Sequence, residues 1–177
     1  MTINGPVSIA PESPLAEDLR LLFDRHVQAM HADTPPGSIH MLPRAQLVGP
    51  DIDFLVMRQG GRPVGMGALK RLGDGHAEIK SMHVLAEHRG QGLAARLLAA
   101  LLDRAQALGM GRVSLETGSQ DSFAPARALY ARAGFRECGP FAGYGPDPHS
   151  TFMTRAVGPA AGCAAPAFVA STSRAAP

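Results

Sequence analysis

Long apolar runs are absent from this sequence. Among its 177 residues, no stretch reaches the roughly 18 consecutive apolar residues that a membrane-spanning helix requires. Residues 1–14 also lack the basic stretch followed by an apolar one that marks a secretory signal. We therefore expect no membrane partner and a cytoplasmic location.

Cysteine and histidine are too scattered to suggest a metal site or a disulfide framework. The two cysteines, Cys138 and Cys163, form no Cys-x-x-Cys pair, and the seven histidines show no His-x-x-x-His spacing. We expect two ordinary thiols and no bound metal.

Aromatic residues and excess charge are scarce as well. The chain has no tryptophan, only two tyrosines, and a net charge of +2 with its basic residues dispersed. Nucleic-acid binding needs a basic surface, and single strands also need aromatic platforms on which bases stack. We therefore expect no nucleic-acid partner.

What the sequence does contain is the composition of one globular domain. Apolar residues make up 45% and charged residues 18%, enough to build a core, and the length suits a single domain. The last residues, 158–177, are rich in Ala, Pro, Gly and Ser, with only Phe168 and Val169 as large apolar residues. We expect a folded domain over residues 1–157 and a disordered tail over 158–177.

Helical spacing of apolar residues predicts three helices. The predicted helices run from the cap Ser13 and first-turn Pro14 to Met30, from Leu93 to Gly109, and from a cap at Asp121 or Ser122, through an early Pro125, to Gly134.

Runs with strand character lie between and after these helices. Strands are predicted at residues 54–57, 63–72, 77–84, 112–117, 135–138 and 151–157, with turns at 59–62 and 73–75. The order of helices and strands predicts an α/β domain with a mixed sheet.

The most informative segment is the loop Arg89-Gly90-Gln91-Gly92-Leu93-Ala94, which follows a predicted strand and opens a helix. Glycine lets the backbone approach a ligand closely, and the first N–H groups of a helix have no internal partner. Together with the helix dipole, these features predict an anion site suited to a pyrophosphate. A dinucleotide fingerprint is excluded because Ala95 stands where glycine is required, and no Gly-Lys-Ser/Thr follows for a Walker loop.

The same loop fits the pattern [RQ]-x-x-G-x-[GA] through Arg89, Gly92 and Ala94, and residues 126–135 fit A-x-x-L-Y-x-x-x-G-F. Both patterns, in this order, resemble the GNAT family of acetyltransferases. The resemblance implies an acyl-CoA N-acyltransferase fold: a mixed, mostly antiparallel, twisted sheet flanked by helices.

Four further segments carry a closer resemblance to a group of small bacterial acetyltransferases: residues 35–40, 78–82, 115–119 and 141–145. Some of that group are named indole-3-acetic acid acetyltransferases. Indole-3-acetate has a carboxylate and a weakly nucleophilic ring nitrogen, but no basic amine, so the name does not identify an acceptor for amine acetylation.

The GNAT resemblance implies transfer of an acetyl group from acetyl-CoA to the amine of a small-molecule or amino-acid-like acceptor, by direct attack in a ternary complex. Strand backbone at Met82, His83 and Val84 would hold the pantetheine arm. The pyrophosphate would lie against Arg89, Gly90, Gln91, Gly92, Leu93, Ala94 and Ala95. One departure is Phe123, which stands where the family often has a cofactor-binding Asn; Ser119 or Ser122 could substitute.

Two catalytic roles follow from the resemblance. Tyr130 matches the general acid that protonates the departing thiolate, although a helix tyrosine can also simply fill the core. Glu78 matches a general base, with Glu116, His83 and His40 as rivals.

The acceptor is predicted to bind near Glu116, Tyr144 and His40. Alternative functions are acetylation of protein lysines and a non-catalytic acyl-CoA-binding module. The resemblance is also compatible with a homodimer.

Overall fold

The computed structural model describes residues 5–158, and the predicted tail beyond Gly158 lies outside them. The strands are β1 (Val7–Pro11), β2 (Ile52–Gln59), β3 (Arg62–Gly73), β4 (His76–Val84), β5 (Arg112–Gly118), β6 (Arg136–Cys138) and β7 (Ser150–Ala156). The α-helices are α1 (Arg20–Asp33), α2 (Leu93–Ala107) and α3 (Ala124–Arg132). None of the helices within the described range has the length and apolar character needed to cross a bilayer.

The strands form one sheet in the order β1-β2-β3-β4-β5-β7-β6. Only the central pair, β4 with β5, is parallel, and every other neighbouring pair is antiparallel. The predicted α/β fold with a mixed, mostly antiparallel sheet is confirmed.

Helices cover both faces of this sheet and give it two cores. On one face, leucines of α2 such as Leu97 and Leu101 pack with Tyr130 and Phe135 against inward side chains of the central strands. On the other face, Leu22 of α1 packs in a second cluster with residues of β2 and β3. Burial on both faces explains why the central strands are nearly continuous runs of buried residues.

The parallel strands β4 and β5 separate after a short pairing. Residues 76–79 of β4 pair with residues 112–115 of β5, after which β4 continues along β3 and β5 continues along β7. The strand backbone from Lys80 to Val84 therefore has no strand partner on its β5 side. This separation opens a gap in the middle of the sheet, next to the start of α2.

The predicted start of the first helix is wrong. The Ser13 hydroxyl accepts a hydrogen bond from the N–H of Leu15 at 3.2 Å, which closes a local turn instead of capping a helix. A short 3-10 helix, Glu17–Leu19, follows, and α1 begins only at Arg20. Hydroxyl groups stabilise turns as readily as helix starts, so the pattern alone could not separate the two.

The predicted caps of the third helix are also wrong. Asp121 and Ser122 lie in a 3-10 helix ahead of α3, without a side-chain capping bond, and the Ser122 hydroxyl donates instead to the carboxylate of Asp33. Pro125 does lie in the first turn of α3, and the helix ends at Arg132, two residues before the predicted Gly134. The strand β1 was not predicted at all, because it is a five-residue edge strand with only two large apolar residues.

Shortening Leu22 to alanine should lower the free energy of unfolding by about 2–5 kcal/mol, since its side chain is 1% exposed and its loss leaves a cavity between α1 and the sheet. Leu21, the next residue on the same helix, is 50% exposed and provides a matched control. Leu21→Ala should change the free energy by only about 0.5 kcal/mol. Urea denaturation of both variants tests this, and equal losses would show that α1 is not anchored through Leu22.

Candidate active site

A cleft of about 480 Å³ lies between the free end of β4, the start of α2 and α3. Its lining residues are Met82, Val84, His88, Arg89, Gly90, Gly92, Leu93, Ala94, Ala95, Pro125, Ala126, Leu129, Tyr130 and Arg132. We call this feature the cleft. Its walls are largely apolar, and two arginines bring positive charge to it: Arg89, which precedes α2, and Arg132, the last residue of α3.

The start of α2 fits an anion such as a pyrophosphate. Gly92, the residue before the helix, has a φ of 72°, and no side chain caps the first N–H groups of α2. Apart from the glycine and its two chain neighbours, no described residue has an atom within 4 Å of where a Cβ would sit on Gly90 or Gly92. Phosphate oxygens could therefore approach the backbone there and accept hydrogen bonds from the unpaired N–H groups.

A second, smaller space of about 80 Å³ occupies the gap between the separating ends of β4 and β5. We call it the small cavity. It shares two lining residues, Met82 and Tyr130, with the cleft. These two side chains therefore stand where the cleft and the small cavity meet.

Tyr130 is buried at that junction, with 7% of its surface exposed. Its hydroxyl donates to the sulfur of Met82 at 3.8 Å. Burial, with a smaller contribution from the negative charge of Glu116, raises the pKa of Tyr130 to about 12. The phenol therefore keeps its proton at neutral pH and can act as a proton donor.

Glu116 lines the small cavity from the β5 side. The hydroxyl of Ser150 donates to its carboxylate at 2.7 Å. Burial raises the pKa of Glu116 above its ordinary value, and the Ser150 hydrogen bond partly opposes that rise. A carboxylate with a raised pKa in a partly closed space is a reasonable proton acceptor.

Glu78 lies beside the small cavity in a group that we call the Lys80 cluster, formed by Glu78, Lys80 and Tyr144. The Lys80 ammonium is 3.1 Å from a Glu78 carboxylate oxygen, and the Tyr144 hydroxyl donates to the same oxygen. Lys80 also donates to the Tyr144 hydroxyl and, at 2.9 Å, to the carbonyl of His40. Burial first, and then the hydrogen bond to Glu78, raise the pKa of Tyr144.

Comparison with known proteins identifies the family and supports the fold. The model of the family described as "Acetyltransferase (GNAT) family" matches residues 19–135, which is more than half of the chain. The chain belongs to the GNAT acetyltransferases. GNAT acetyltransferases are acyltransferases, and acetyl-CoA is the acyl donor that the family uses.

Relatives of this GNAT chain match it over nearly their full length. It is 46% identical to the uncharacterized N-acetyltransferase YsnE of Bacillus subtilis over 76% of this chain and 89% of that protein. It is 40% identical to the IAA acetyltransferase of Azospirillum brasilense over 84% of this chain and 97% of that protein. A solved structure described as an acyl-CoA N-acyltransferase of Klebsiella pneumoniae is 30% identical, with a TM-score of 0.71 over 87% of this chain and 99% of that one.

Most residues predicted to hold the GNAT cofactor line the cleft. They are Met82, Val84, Arg89, Gly90, Gly92, Leu93, Ala94 and Ala95. Gln91 is exposed and does not line it. Their roles toward acetyl-CoA stay predictions.

His83 faces the opposite side of the sheet from the cleft. Its ring lies 5.4 Å from that of His26 on α1. Burial, followed by the charges of His26 and Arg89, lowers the pKa of His83 to about 3. An imidazole this weakly basic is a poor candidate for the general base at neutral pH.

The three residues predicted to bind the acceptor lie close together. Glu116 and His40 line the small cavity, while Tyr144 lies behind it with its ring centre 5.2 Å from that of His40. The His40 imidazole is in turn 3.7 Å from the carboxylate of Asp147. Glu78, predicted as the base, contacts Lys80 and Tyr144 and is not among the residues that line the small cavity.

Phe123, which replaces the expected asparagine, lines the small cavity and packs over the end of β5. A Cβ on Gly118 would lie only 2.4 Å from the Phe123 ring, so the two residues are in direct contact. The hydroxyls of Ser119 and Ser122 donate to the Pro148 carbonyl and to Asp33. That one of these serines takes over the role of the asparagine stays a prediction.

Sequence reasoning missed several polar residues at this site, including Ser81 on β4. Lys80 and Arg132 could have been found: Lys80 follows Glu78 by two positions on a strand, and so shares its face, and Arg132 follows Tyr130 within the second motif. His26 and Thr34 line the small cavity from α1 and its C-terminal end. Nothing in the helical pattern of α1 distinguishes them from ordinary helix residues.

Proposed function

We propose that this chain transfers an acetyl group from acetyl-CoA to the primary amine of a small-molecule or amino-acid-like acceptor, by direct attack within a ternary complex. One observation carries the proposal: the side chains of Tyr130 and Met82 border both the cleft and the small cavity. A donor in the cleft and an acceptor in the small cavity would therefore meet beside a phenolic proton donor.

The cleft holds the donor in this proposal. Backbone groups of Met82 and Val84, on the side of β4 without a strand partner, bind the pantetheine arm as an added strand would. The N–H groups at the start of α2 bind the pyrophosphate, assisted by the guanidinium of Arg89. Acetyl-CoA supplies the thioester from which the acetyl group is transferred.

Glu116 is our candidate for the general base. It accepts a proton from the acceptor's ammonium, so that the neutral nitrogen can form its bond to the acetyl carbon. Its carboxylate lines the small cavity and has a pKa raised by burial, whereas the Glu78 carboxylate is paired with Lys80 and Tyr144. This favours Glu116 over the base that the sequence suggested first.

Tyr130 is our candidate for the general acid. It donates its phenolic proton to the sulfur as the carbon–sulfur bond breaks, so that CoA leaves as a thiol. The phenol then regains a proton, and Glu116 loses the one that it accepted. The positions of these two residues favour an enzyme over a non-catalytic acyl-CoA-binding module.

The small cavity favours a small acceptor over a protein lysine. Its volume of about 80 Å³ is roughly half that of an engineered cavity of about 150 Å³ that binds benzene. It therefore suits a few non-hydrogen atoms near the amine. A lysine on a folded protein would need an open groove across the molecular surface.

The donor site is tested by introducing a carboxylate at the start of α2. We expect Gly92→Glu to weaken acetyl-CoA binding at least about tenfold, or ~1.4 kcal/mol, because the new side chain occupies the anion site with like charge. Titration calorimetry with acetyl-CoA measures the change. Arg89→Ala should weaken binding to a smaller degree, since it removes one charge-assisted contact.

Gly109 provides the matched control at the other end of the same helix. It has the same φ of 72° as Gly92, and its surroundings are equally open. Gly109→Glu therefore suffers the same backbone strain of about 1–2 kcal/mol but should keep its affinity for acetyl-CoA. If the wild type fails to bind acetyl-CoA, the proposed function is wrong; if it binds but releases no free thiol with any amine of a broad panel, the chain is a binding module.

A further inference from the structure

Three buried polar side chains on one side of the small cavity have no hydrogen-bond partner. They are His26 on α1, Thr34 at the end of α1, and Ser81 on β4, and all three line the cavity. Both ring nitrogens of His26 and the hydroxyl oxygens of Thr34 and Ser81 are shielded from solvent and unpaired among the described residues. Buried polar groups of folded proteins are nearly always paired, so three such groups around one cavity indicate a ligand that pairs with them.

This wall of the cavity carries no charge. His26 is 7% exposed, and burial lowers its pKa to about 4, so its imidazole is neutral near pH 7. The facing His83, the nearest titratable group on β4, is likewise neutral because its pKa is about 3. A neutral imidazole offers one donor and one acceptor, and each hydroxyl can do both. Such a wall matches a hydroxyl or an amide better than an ionised group.

Lys80, the cation that lines the small cavity, is already engaged. An ammonium has three N–H donors. Lys80 donates two hydrogen bonds, to the His40 carbonyl and the Tyr144 hydroxyl, and its ammonium forms an ion pair with the Glu78 carboxylate at 3.1 Å. Glu78 also neutralises its charge. A carboxylate on the acceptor would therefore have to compete with these partners for Lys80.

Glu116 adds a further reason against an acidic acceptor. Its carboxylate lines the same cavity, where a second carboxylate would meet like charge at low dielectric. The ammonium of an acceptor would gain from that charge. The small cavity therefore combines one anionic side chain, Glu116, which attracts the ammonium of the acceptor, with one polar wall that carries no charge.

We propose that the acceptor is a small primary amine that carries an uncharged hydroxyl or amide group, and that His26, Thr34 and Ser81 bind that group. The inference rests on the proposed function and narrows its acceptor class. Free amino acids with an ionised carboxylate, and simple alkyl amines, are poor acceptors by the same reasoning. When an analogue lacks the hydroxyl, the buried polar groups of the site lose their hydrogen-bond partner, and this energetic cost makes the site reject the analogue.

Two matched pairs of amines test the inference. Propanolamine and butylamine differ by a hydroxyl in place of a methyl group, and β-alaninamide and β-alanine differ by a neutral amide in place of a carboxylate. We expect kcat/KM to be at least about tenfold higher for propanolamine than for butylamine, and for β-alaninamide than for β-alanine. Release of free CoA thiol at saturating acetyl-CoA measures all four.

Two variants connect that preference to the uncharged wall. His26→Phe keeps an aromatic ring but removes both nitrogens, and Thr34→Val replaces the hydroxyl with a methyl group of similar size. In each variant the ratio between propanolamine and butylamine should fall several-fold, chiefly through a higher KM for propanolamine. His31→Phe, an exposed histidine on the same helix, is the control and should keep the wild-type ratio.

The outcomes separate the inference from the function on which it rests. Three results would overturn the inference while leaving acetyl transfer intact. They are equal kcat/KM values within both pairs of amines, a higher kcat/KM for β-alanine than for β-alaninamide, and an unchanged propanolamine-to-butylamine ratio in both His26→Phe and Thr34→Val. Thiol release with none of the four amines would overturn the inference as well. In that case, titration with acetyl-CoA and the broad amine panel decide whether the proposed function also fails.

Discussion

Replacing Tyr130 with phenylalanine is expected to lower kcat by about 10²–10⁴-fold, the range that positioned general acids contribute. The variant keeps the ring that packs against Phe135 and removes only the hydroxyl that donates to Met82. Acetyl-CoA affinity should therefore change little. Steady-state thiol release together with titration calorimetry separates the two quantities.

The raised pKa of Tyr130 also predicts how kcat of the wild type depends on pH. A general acid must be protonated, and a phenol with a pKa of about 12 stays protonated up to strongly alkaline pH. We expect no loss of kcat that reports ionisation of Tyr130 between about pH 6 and 10. The other tyrosine, Tyr144, supports the Lys80 cluster, so Tyr144→Phe should reduce kcat far less. Unchanged kcat in Tyr130→Phe would show that another group or water protonates the thiolate.

Replacing Glu116 with glutamine is expected to lower kcat/KM by about 10²–10⁴-fold and to remove the acidic limb of the pH profile. A base acts only when ionised, so the wild-type rate should fall as the pH drops through the pKa of Glu116. Because burial raises that pKa, the midpoint should lie above the ordinary glutamate value of about 4.3. A pH series of kcat/KM on the wild type and variant measures both effects.

Ser150 allows the assignment to be tested without removing the carboxylate. Its hydroxyl stabilises the ionised form of Glu116 and so lowers the pKa. Ser150→Ala should therefore raise the pKa and move the acidic limb to higher pH, which a merely structural role would not do. If Glu78→Gln removes the limb while Glu116→Gln retains it, the base is Glu78, as the sequence first suggested.

Local features of the chain could be predicted because they depend on short-range chemistry. The glycine loop from Arg89 to Ala94 combines a strand end, permissive backbone and a helix start within a few residues, so an anion site can be predicted there from the sequence alone. The end of α2 near Gly109 and the hairpin at residues 59–62 could be predicted for the same reason. The family, the order of most elements and the mixed sheet followed from these patterns.

The small cavity could be predicted only in part, through Glu116 and His40, because its lining comes from distant segments. His26 comes from α1, Thr34 from the residue that follows it, Ser81 from β4 and Glu116 from β5, and the separation of β4 from β5 leaves the space that they line. The choice between Glu78 and Glu116 as base depends on which carboxylate is paired with a cation and which one lines the small cavity, and both are properties of the folded chain. Sequence alone determined the family and the prediction of an anion-binding loop, because both depend on local pattern. Tertiary structure decided the pairing, burial and charge of the side chains around the small cavity, because these arise only when remote side chains are packed together.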